Sequence, residues 1–228
     1  MSTFLELSQQ VHKLAQVQGS LHSVADPGIN GEIANLVKNA WVDIQGLRNN
    51  FTFMRKTLAF TLSPTVNTYL ISTLIPPPAT DDVGRWIDDE GSLYLTSPAG
   101  GPPFAVRFLP YDSLRLMIRT YEDSAAPPSY WSFSPSNLAL MFFPAPNLIY
   151  SGEIDYYRSP QTLVNNQDVP HIRSQWHDII AYKAASEFTA GKSIYGLHQR
   201  YDLRYSQRVG ELFREFVPAV NATIRPAA

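Results

Sequence analysis

The first candidate for chemistry is the tripeptide Gly191-Lys192-Ser193, which matches the end of a phosphate-binding loop. In such a loop, backbone N–H groups and a lysine surround the phosphates of a nucleotide. The first glycine of the loop should stand at position 186, which is Ser186, and the preceding sequence has a helical rather than a strand pattern. The partial motif therefore predicts no nucleotide site.

Acidic and histidine residues form a second group of candidates, because carboxylate oxygens and imidazole nitrogens bind metal ions. These residues are Asp81, Asp82, Asp88, Asp89, Glu90, His171, His177 and His198. The carboxylates lack the Asp-x-Asp-x-Asp-Gly spacing of a calcium loop, so we interpret them as a solvated hairpin tip or an inter-subunit surface. The histidines lack His-x-x-x-His spacing and a cysteine partner, and we expect them at the surface or at an interface.

Other catalytic signatures are missing from the sequence. It contains no Gly-x-Ser-x-Gly elbow that would activate a serine, and it contains no cysteine. Glu153 and Asp155 alternate along a predicted strand, where solvent exposure explains them without glycosidase chemistry. We therefore predict no catalytic residue, no cofactor and no metal. A hydrolase that uses the acidic cluster with a metal is the enzymatic alternative.

The predicted last helix carries the residues best suited to binding another protein. They are Arg200, Tyr201, Arg204, Tyr205 and Arg208. The three arginines lie four residues apart on one face, and like charges at that spacing cost about 0.2–0.5 kcal/mol per pair unless something compensates. Because interfaces are enriched in tyrosine and arginine, the stripe predicts contact with a neighbouring protein. The alternative is a solvated basic face with tyrosines packed against the sheet, near Asp202, Glu211 and Glu215.

Length and composition limit the class of protein that must position these residues. A chain of 228 residues can bury a substantial core. A net charge of −2 and a pI of about 6.2 argue against tight non-specific binding of nucleic acid. The N-terminus has no basic region, and no run of about 18 apolar residues occurs. We expect neither a secretory signal peptide nor a membrane-spanning helix.

Apolar residues at helical spacing predict two helices near each end of the chain. The N-terminal pair covers residues 3–18, with Thr3 or Ser2 as cap, and residues 32–49. The C-terminal pair covers residues 174–188, with Ser174 as cap, and residues 197–216, which Pro218 ends. Residues 218–228 lack helical periodicity and carry one charge, Arg225, so we expect a flexible tail.

The middle of the chain is rich in proline and follows the period of two that is typical of strands. Strands are predicted at residues 51–62, 65–71, 93–96, 104–109, 129–133, 138–143 and 148–158. A short helix is predicted at residues 111–121, and the last three strands are expected to form a meander. The predicted fold class is therefore α+β. Its divisions are N-terminal helices at 1–50, an antiparallel β region at 51–160, C-terminal helices at 171–217 that pack with the N-terminal ones, and a tail at 218–228.

One segment joins a strand, a proline-bounded loop and a helix in a fixed order. Residues 148–158 alternate between apolar and polar side chains, which predicts a half-buried antiparallel strand. Pro160 cannot donate a ladder hydrogen bond and ends the strand, while Asp168-Val-Pro170 keeps the chain extended before the helix.

Further short motifs accompany this segment along the chain. They are Asn-Ala-Trp-Val-Asp-Ile-Gln at 39–45, Phe-Met-Arg at 53–55, Pro-Tyr-Asp-Ser-Leu-Arg at 110–115, Pro-Ala-Pro at 144–146 and Tyr-Tyr-Arg-Ser-Pro at 156–160. In this order, the motifs resemble those of the head-to-tail connector, or adaptor, proteins of tailed bacteriophages.

This resemblance implies a structural virion protein rather than an enzyme. Adaptors of this kind form a dodecameric ring beneath the portal, extend the DNA channel and provide the platform on which the tail docks. The implied partners are further copies of the chain, the portal protein above and a tail, nozzle or tail-tube protein below, with DNA passing through without sequence-specific binding. The implied location is the virion neck, after assembly in the host cytoplasm.

The resemblance also suggests what the predicted interface residues contact. The arginine and tyrosine stripe would meet a neighbouring subunit or the portal, and the tail with Arg225 would order on assembly. Another tail or neck protein, such as a tail-completion or baseplate protein, is the structural alternative. A metal-dependent hydrolase is the less favoured one.

Overall fold

The computed structural model describes residues 2–74, 83–88, 91–121, 125–136 and 138–217. The chain forms two compact units, one of Met1–Met54 with Pro160–Ala228 and one of Arg55–Ser159. The helices are α1 Phe4–Leu14, α2 Ile29–Gly46, α3 Ile71–Leu74, α4 Tyr111–Thr120, α5 His177–Gly191 and α6 Tyr195–Phe216. The strands are β1 Arg55–Leu62, β2 Thr68–Leu70, β3 Val83–Trp86, β4 Leu93–Thr96, β5 Phe104–Ala105, β6 Arg107–Phe108, β7 Tyr130–Ser134, β8 Ala139–Phe143 and β9 Tyr150–Arg158. The predicted α+β class is confirmed.

Helix α1 begins where the sequence predicts. The Thr3 hydroxyl accepts a hydrogen bond from the N–H of Glu6, and the Glu6 carboxylate accepts one from the N–H of Thr3. This reciprocal capping box satisfies two donors at the helix start. The helix ends at Leu14, earlier than expected, because Gln16 adopts the left-handed backbone conformation with φ 56°.

Helix α2 is displaced toward the N-terminus of its predicted range. It begins at Ile29, directly after Gly28, whose φ of 71° suits glycine far better than other residues. Its apolar stripe is buried as predicted, with Ile33, Val37 and Trp41 fully covered. The periodicity therefore predicts the buried face correctly and the helix ends less well.

Helix α5 is the centre of the helical unit and contacts α1, α2 and α6. Small side chains such as Ala181, Ala184 and Ala185 are buried on it, which suits a helix with neighbours on several sides. The predicted cap at Ser174 is wrong, because residues Ser174–Trp176 form a 3₁₀ turn and α5 begins at His177. Helix α6 packs mainly on α5 and leaves a long outer face exposed.

The β unit consists of two sheets whose inner faces share one aromatic-rich core. In the first sheet the strand order is β1-β9-β4-β5, and β3 also pairs with β9. In the second sheet the order is β2-β8-β7-β6. Buried residues that include Trp86, Trp131 and Phe142 form the core. Gly152 of β9 lies so close to the Phe60 ring that a Cβ at this position would be 2.4 Å from it.

The predicted meander of the last three strands is wrong in its final member. Strands β7 and β8 pair as a hairpin, but β9 crosses to the other sheet and pairs with β1, β3 and β4. Pro144 and Pro146 follow β8 directly, and since neither can donate a ladder hydrogen bond, the chain leaves the second sheet there.

The predicted strand at 104–109 is likewise divided between the two sheets. The N–H of Val106 donates to the carbonyl of Leu93 in the first sheet, and the N–H of Arg107 donates to the carbonyl of Ser129 beside the second. The short helix predicted at 111–121 is confirmed as α4, whereas the strand predicted at 65–71 is shortened to β2.

Candidate assembly surface

The two carboxylates of the motif strand β9, Glu153 and Asp155, have different surroundings. Asp155 accepts hydrogen bonds from the guanidinium of Arg55, including one of 3.1 Å from Nε, and from the hydroxyl of Thr57 at 2.6 Å. Glu153 lies two residues away and is exposed to solvent. The two carboxylates therefore lie on the polar side of the sheet, as predicted.

The residue after Pro160, Gln161, joins α2 to the loop before α5. Its side-chain oxygen accepts hydrogen bonds from Trp41 Nε1 at 3.1 Å and from the N–H of His171 at 3.0 Å, and its side-chain nitrogen donates to the carbonyl of Val169 at 2.9 Å. Its backbone N–H and carbonyl bind the side chain of buried Gln45 at 2.7 and 2.9 Å. Gln161 is thus a hydrogen-bonded joint between α2 and the loop before α5.

The loop that contains Asp168 covers the start of α1. The carbonyl of Asp168 accepts a hydrogen bond from the N–H of Phe4 at 2.7 Å, and the carbonyl of Asn166 accepts one from Leu5 at 3.2 Å. The Asp168 carboxylate accepts hydrogen bonds from the N–H groups of Asn165 and Val164, which hold its pKa below the usual range. The loop therefore satisfies helix-terminal donors that would otherwise need water. The sequence predicts an extended loop here but not this role, because the contacts join distant parts of the chain.

On α6, the predicted interface residue Arg208 is bound within its own unit. Its guanidinium donates to both carboxylate oxygens of Asp178 at 2.9 and 3.0 Å, to Glu211 at 2.8 Å and to the carbonyl of Gln175 at 2.7 Å. The same group lies 4.7 Å from the ring centroid of Trp176. The hydrogen bond to Asp178 contributes most to raising the pKa of Arg208.

The two tyrosines of the stripe pack against the helical unit. Tyr201 is 6% exposed, and its hydroxyl donates to the carbonyl of Leu14 at 2.8 Å. Tyr205 is half-buried beneath the ammonium of Lys183, 5.5 Å from the ring centroid, and burial raises the pKa of its hydroxyl. The tyrosines are therefore packed, as in the alternative, but their contacts are with α1 and α5, whereas the sequence predicted packing against the sheet.

The remaining arginines of the stripe face outward. Arg204 is exposed and reaches the hydroxyl of Tyr182 at 3.3 Å. Arg200 is exposed and forms no ion pair within the described part of the chain. Leu203 lies between them with 61% of its surface exposed. Arg225, the last predicted interface residue, lies outside the described residues.

The tripeptide at 191–193 lies at the C-terminal end of α5, where the helix dipole is negative and disfavours phosphate. Lys192 forms an ion pair with Glu32 at 2.9 Å instead. Lys192 thereby links the C-terminal end of α5 to α2.

The histidines predicted at the surface or an interface have different environments. His177 is 2% exposed, and the prediction is wrong for it. Its Nδ1 accepts a hydrogen bond from the N–H of Ser2 at 3.2 Å, its Nε2 lies 3.1 Å from the carbonyl of Ile172, and burial lowers its pKa. His198 is partly buried against Ser186, while His171 is exposed.

Of the predicted acidic cluster, Asp88 is exposed, and Asp81, Asp82, Asp89 and Glu90 lie outside the described residues. Across the described ranges, no three histidine or carboxylate residues are grouped so that they could hold a metal ion. None of the helices in those ranges combines the length and apolar character needed to cross a membrane.

The comparison with known families covers nearly the whole chain. No curated protein matches the chain. The profile of the family described as SU10 adaptor protein matches residues 2–226, which include the Gln161 joint, the Asp168 loop and α6. The chain therefore belongs to the SU10 adaptor protein family, a family of bacteriophage adaptors.

Proposed function

We propose that this protein forms a ring of twelve copies beneath the portal of a tailed bacteriophage, extends the DNA channel and provides the docking platform for the tail. Membership of a phage adaptor family indicates a structural protein of the virion rather than an enzyme. The proposal concerns three features beyond this. They are the ring, its place in the neck, and its contacts with the portal above and a tail, nozzle or tail-tube protein below.

The observation that best supports assembly is the outer face of α6. Arg200, Leu203, Arg204 and Gln207 are all exposed on this helix, whose main packing partner is α5. An exposed leucine between arginines has the composition of a protein interface, in which an apolar contact is bordered by cations. We infer that this surface, defined here as the α6 face, contacts an adjacent subunit or the portal.

For that contact we favour the residues of the stripe whose side chains are exposed. Arg200 and Arg204 remain available, whereas Arg208 and Tyr201 have their hydrogen-bonding groups occupied within the chain. Tyr205 contributes by supporting the face from beneath. Arg225 is proposed to contact a neighbouring subunit or the portal when the tail orders on assembly.

The charge of the chain is compatible with a channel for DNA. Its net charge is −2. A neutral or acidic lumen suits DNA that must slide, because phosphate neutralisation by many cations binds DNA tightly and would retard its movement.

Electron microscopy of the purified protein mixed with its portal tests this function. We expect a ring coaxial with the portal, and a channel that continues through both. A protein that never joins the portal, at protein concentrations well above those of assembly, contradicts the proposal. Localisation to another part of the tail would instead support a tail-completion or baseplate protein.

A further inference from the structure

The outer edge of β1 is a long strand edge without a partner among the described strands. Over its whole length β1 pairs with β9, from Arg55 opposite Tyr157 to Leu62 opposite Tyr150. The sheet order places β1 at the end of the first sheet. The opposite edge of β1 is therefore open to an added strand.

The hydrogen bonds of β9 show which backbone groups point to that open edge. Asp155 donates its N–H to the carbonyl of Ser92 and accepts from the N–H of Ile87, so both of its backbone groups point away from β1. Its partner across the ladder is Thr57, which consequently belongs to a pair without ladder hydrogen bonds. The N–H and C=O of Thr57 point outward.

Because the pattern alternates along an antiparallel strand, Ala59 and Thr61 present their backbone groups in the same direction. All three residues are exposed. The edge from Thr57 to Leu62 thus offers three N–H donors and three carbonyl acceptors in a row.

Protective features that usually block such edges are missing from this stretch. Residues 57–62 contain no proline and no charged side chain, and their register with β9 is regular. Folded proteins normally protect an exposed edge with charge, proline, a bulge or a covering element. In addition, Leu58 at the margin of the core is only half-buried, which leaves apolar surface beside the edge.

The sequence after the last described residue, Val217, contains a segment suited to this edge. Residues 220–225 read Val-Asn-Ala-Thr-Ile-Arg, with apolar and polar side chains in strict alternation. This pattern is typical of a half-buried strand, and Pro218 and Pro226 limit its length on both sides. Six residues span about 20 Å as a strand, the same length as residues 57–62.

We propose that residues 220–225 of a second copy add as a strand to the β1 edge at residues 57–62. Val220, Ala222 and Ile224 then lie on the core side and cover Leu58, while the polar residues join the solvent face. Each copy supplies one edge and one strand from different parts of its surface, which is a head-to-tail contact of the kind that closes rings. The choice of a second copy rests on the proposed ring.

A peptide-binding experiment with the full-length chain tests the pairing directly. The receptor carries Val220→Asp and Ile224→Asp, so that its own tail cannot compete, and the probe is a labelled peptide of residues 218–228. We expect saturable binding and slowed amide exchange at Thr57, Ala59 and Thr61. Ala59→Pro in the same receptor should weaken binding by about tenfold or more, because it removes an outward N–H that β9 does not use.

Ala59→Ser is the matched control, since it changes the same side chain but keeps the N–H, and it should bind as the receptor does. If Ala59→Pro lowers the melting temperature, its weaker binding does not count as a test. The amide exchange rates of the receptor that keeps Ala59 are then the test of the pairing. Absence of amide protection at about 1 mM peptide overturns the proposal, as does equal binding to a folded Ala59→Pro receptor.

Exchange in the wild-type chain distinguishes the second copy from the same copy. Slowed exchange of the Thr57, Ala59 and Thr61 amides should appear only at protein concentrations at which the chain self-associates. Protection that persists in a dilute monomer would place the tail on its own β1 edge and overturn the proposal. None of these measurements requires the portal, so failure to form a ring on the portal contradicts the proposed function while leaving the peptide result to stand.

Discussion

The Gln161–Asp168 loop and the α6 face are both polar parts of the helical unit, yet they differ in where their hydrogen bonds end. In the loop, side chains and backbone groups bind other parts of the same unit, notably α1 and α2. On the α6 face, Arg200 extends into solvent. Polar groups satisfied within the chain define its fold, whereas exposed cations beside an exposed leucine are available to partners.

The same contrast divides the arginine stripe itself. Arg208 and Arg200 lie on one helix about two turns apart. Only Arg208 donates hydrogen bonds to Asp178 and contacts the ring of Trp176, near the start of α5. Identical side chains at regular spacing therefore have different environments, because among the three arginines only Arg208 forms an ion pair with a carboxylate of α5 in the described part of the chain.

The largest effect is expected from Gln45→Ala. This change leaves the backbone N–H and carbonyl of Gln161 without their partner and removes buried side-chain volume. We expect the free energy of unfolding to fall by about 2–4 kcal/mol, measured by chemical denaturation. Gln199→Ala, at an exposed position of α6, is the control and should change it by less than about 0.5 kcal/mol. A similar fall in the free energy of unfolding for both variants would show that the hydrogen bonds of the loop stabilise the fold no more than an exposed side chain does.

The second effect concerns the two ends of the stripe. Arg208→Ala loses the paired hydrogen bonds to Asp178 and the contact with Trp176, and we expect a loss of about 1 kcal/mol in the free energy of unfolding. The matched Arg200→Ala should have no measurable effect on the same denaturation curve. Equal stability of the two variants would show that the ion pair to Asp178 contributes nothing to the fold.

A pH dependence should separate the buried His177 from exposed histidines. Burial lowers its pKa below the ordinary value of 6.5, so the unfolded chain takes up a proton more readily than the folded one. The contribution of neutral, buried His177 to the free energy of unfolding is therefore complete above about pH 6.5. It declines as the pH falls below that value. Denaturation at pH 7.5 and 5.5 should show this decline, and His177→Gln should reduce it. His22→Gln, at an exposed site, serves as control, and an unchanged profile in His177→Gln would contradict the assignment.

The smallest effect on stability, and the largest on assembly, is expected from Arg200→Glu with Arg204→Glu. Both side chains are exposed, so the free energy of unfolding should change by less than about 0.5 kcal/mol. Charge reversal on the α6 face should nevertheless prevent ring formation or portal binding at physiological salt, as judged by electron microscopy. Normal rings from this variant would show that the α6 face is only solvated.

Much of the local structure was predictable from the sequence, for reasons visible in particular residues. The cap at Thr3, the buried stripe of α2 and the alternation of β9 follow from short-range rules of helix capping and side-chain period. The predicted helix start at Ser174 failed because residues Ser174–Trp176 form a 3₁₀ turn and α5 begins only at His177. Predicted strand 104–109 failed because Val106 crosses between sheets.

By itself, the sequence determined the α+β class, the buried faces of most elements and, through its ordered motifs, the likeness to phage adaptors. Only the tertiary structure decided that β9 pairs with β1 rather than β8, and that Arg208 is bound while Arg200 is exposed. The physical reason is the separation of the partners along the chain. Arg208 and Asp178 are 30 residues apart, and Arg55 and Asp155 are 100 apart. Neither contact can therefore be predicted from a local sequence pattern.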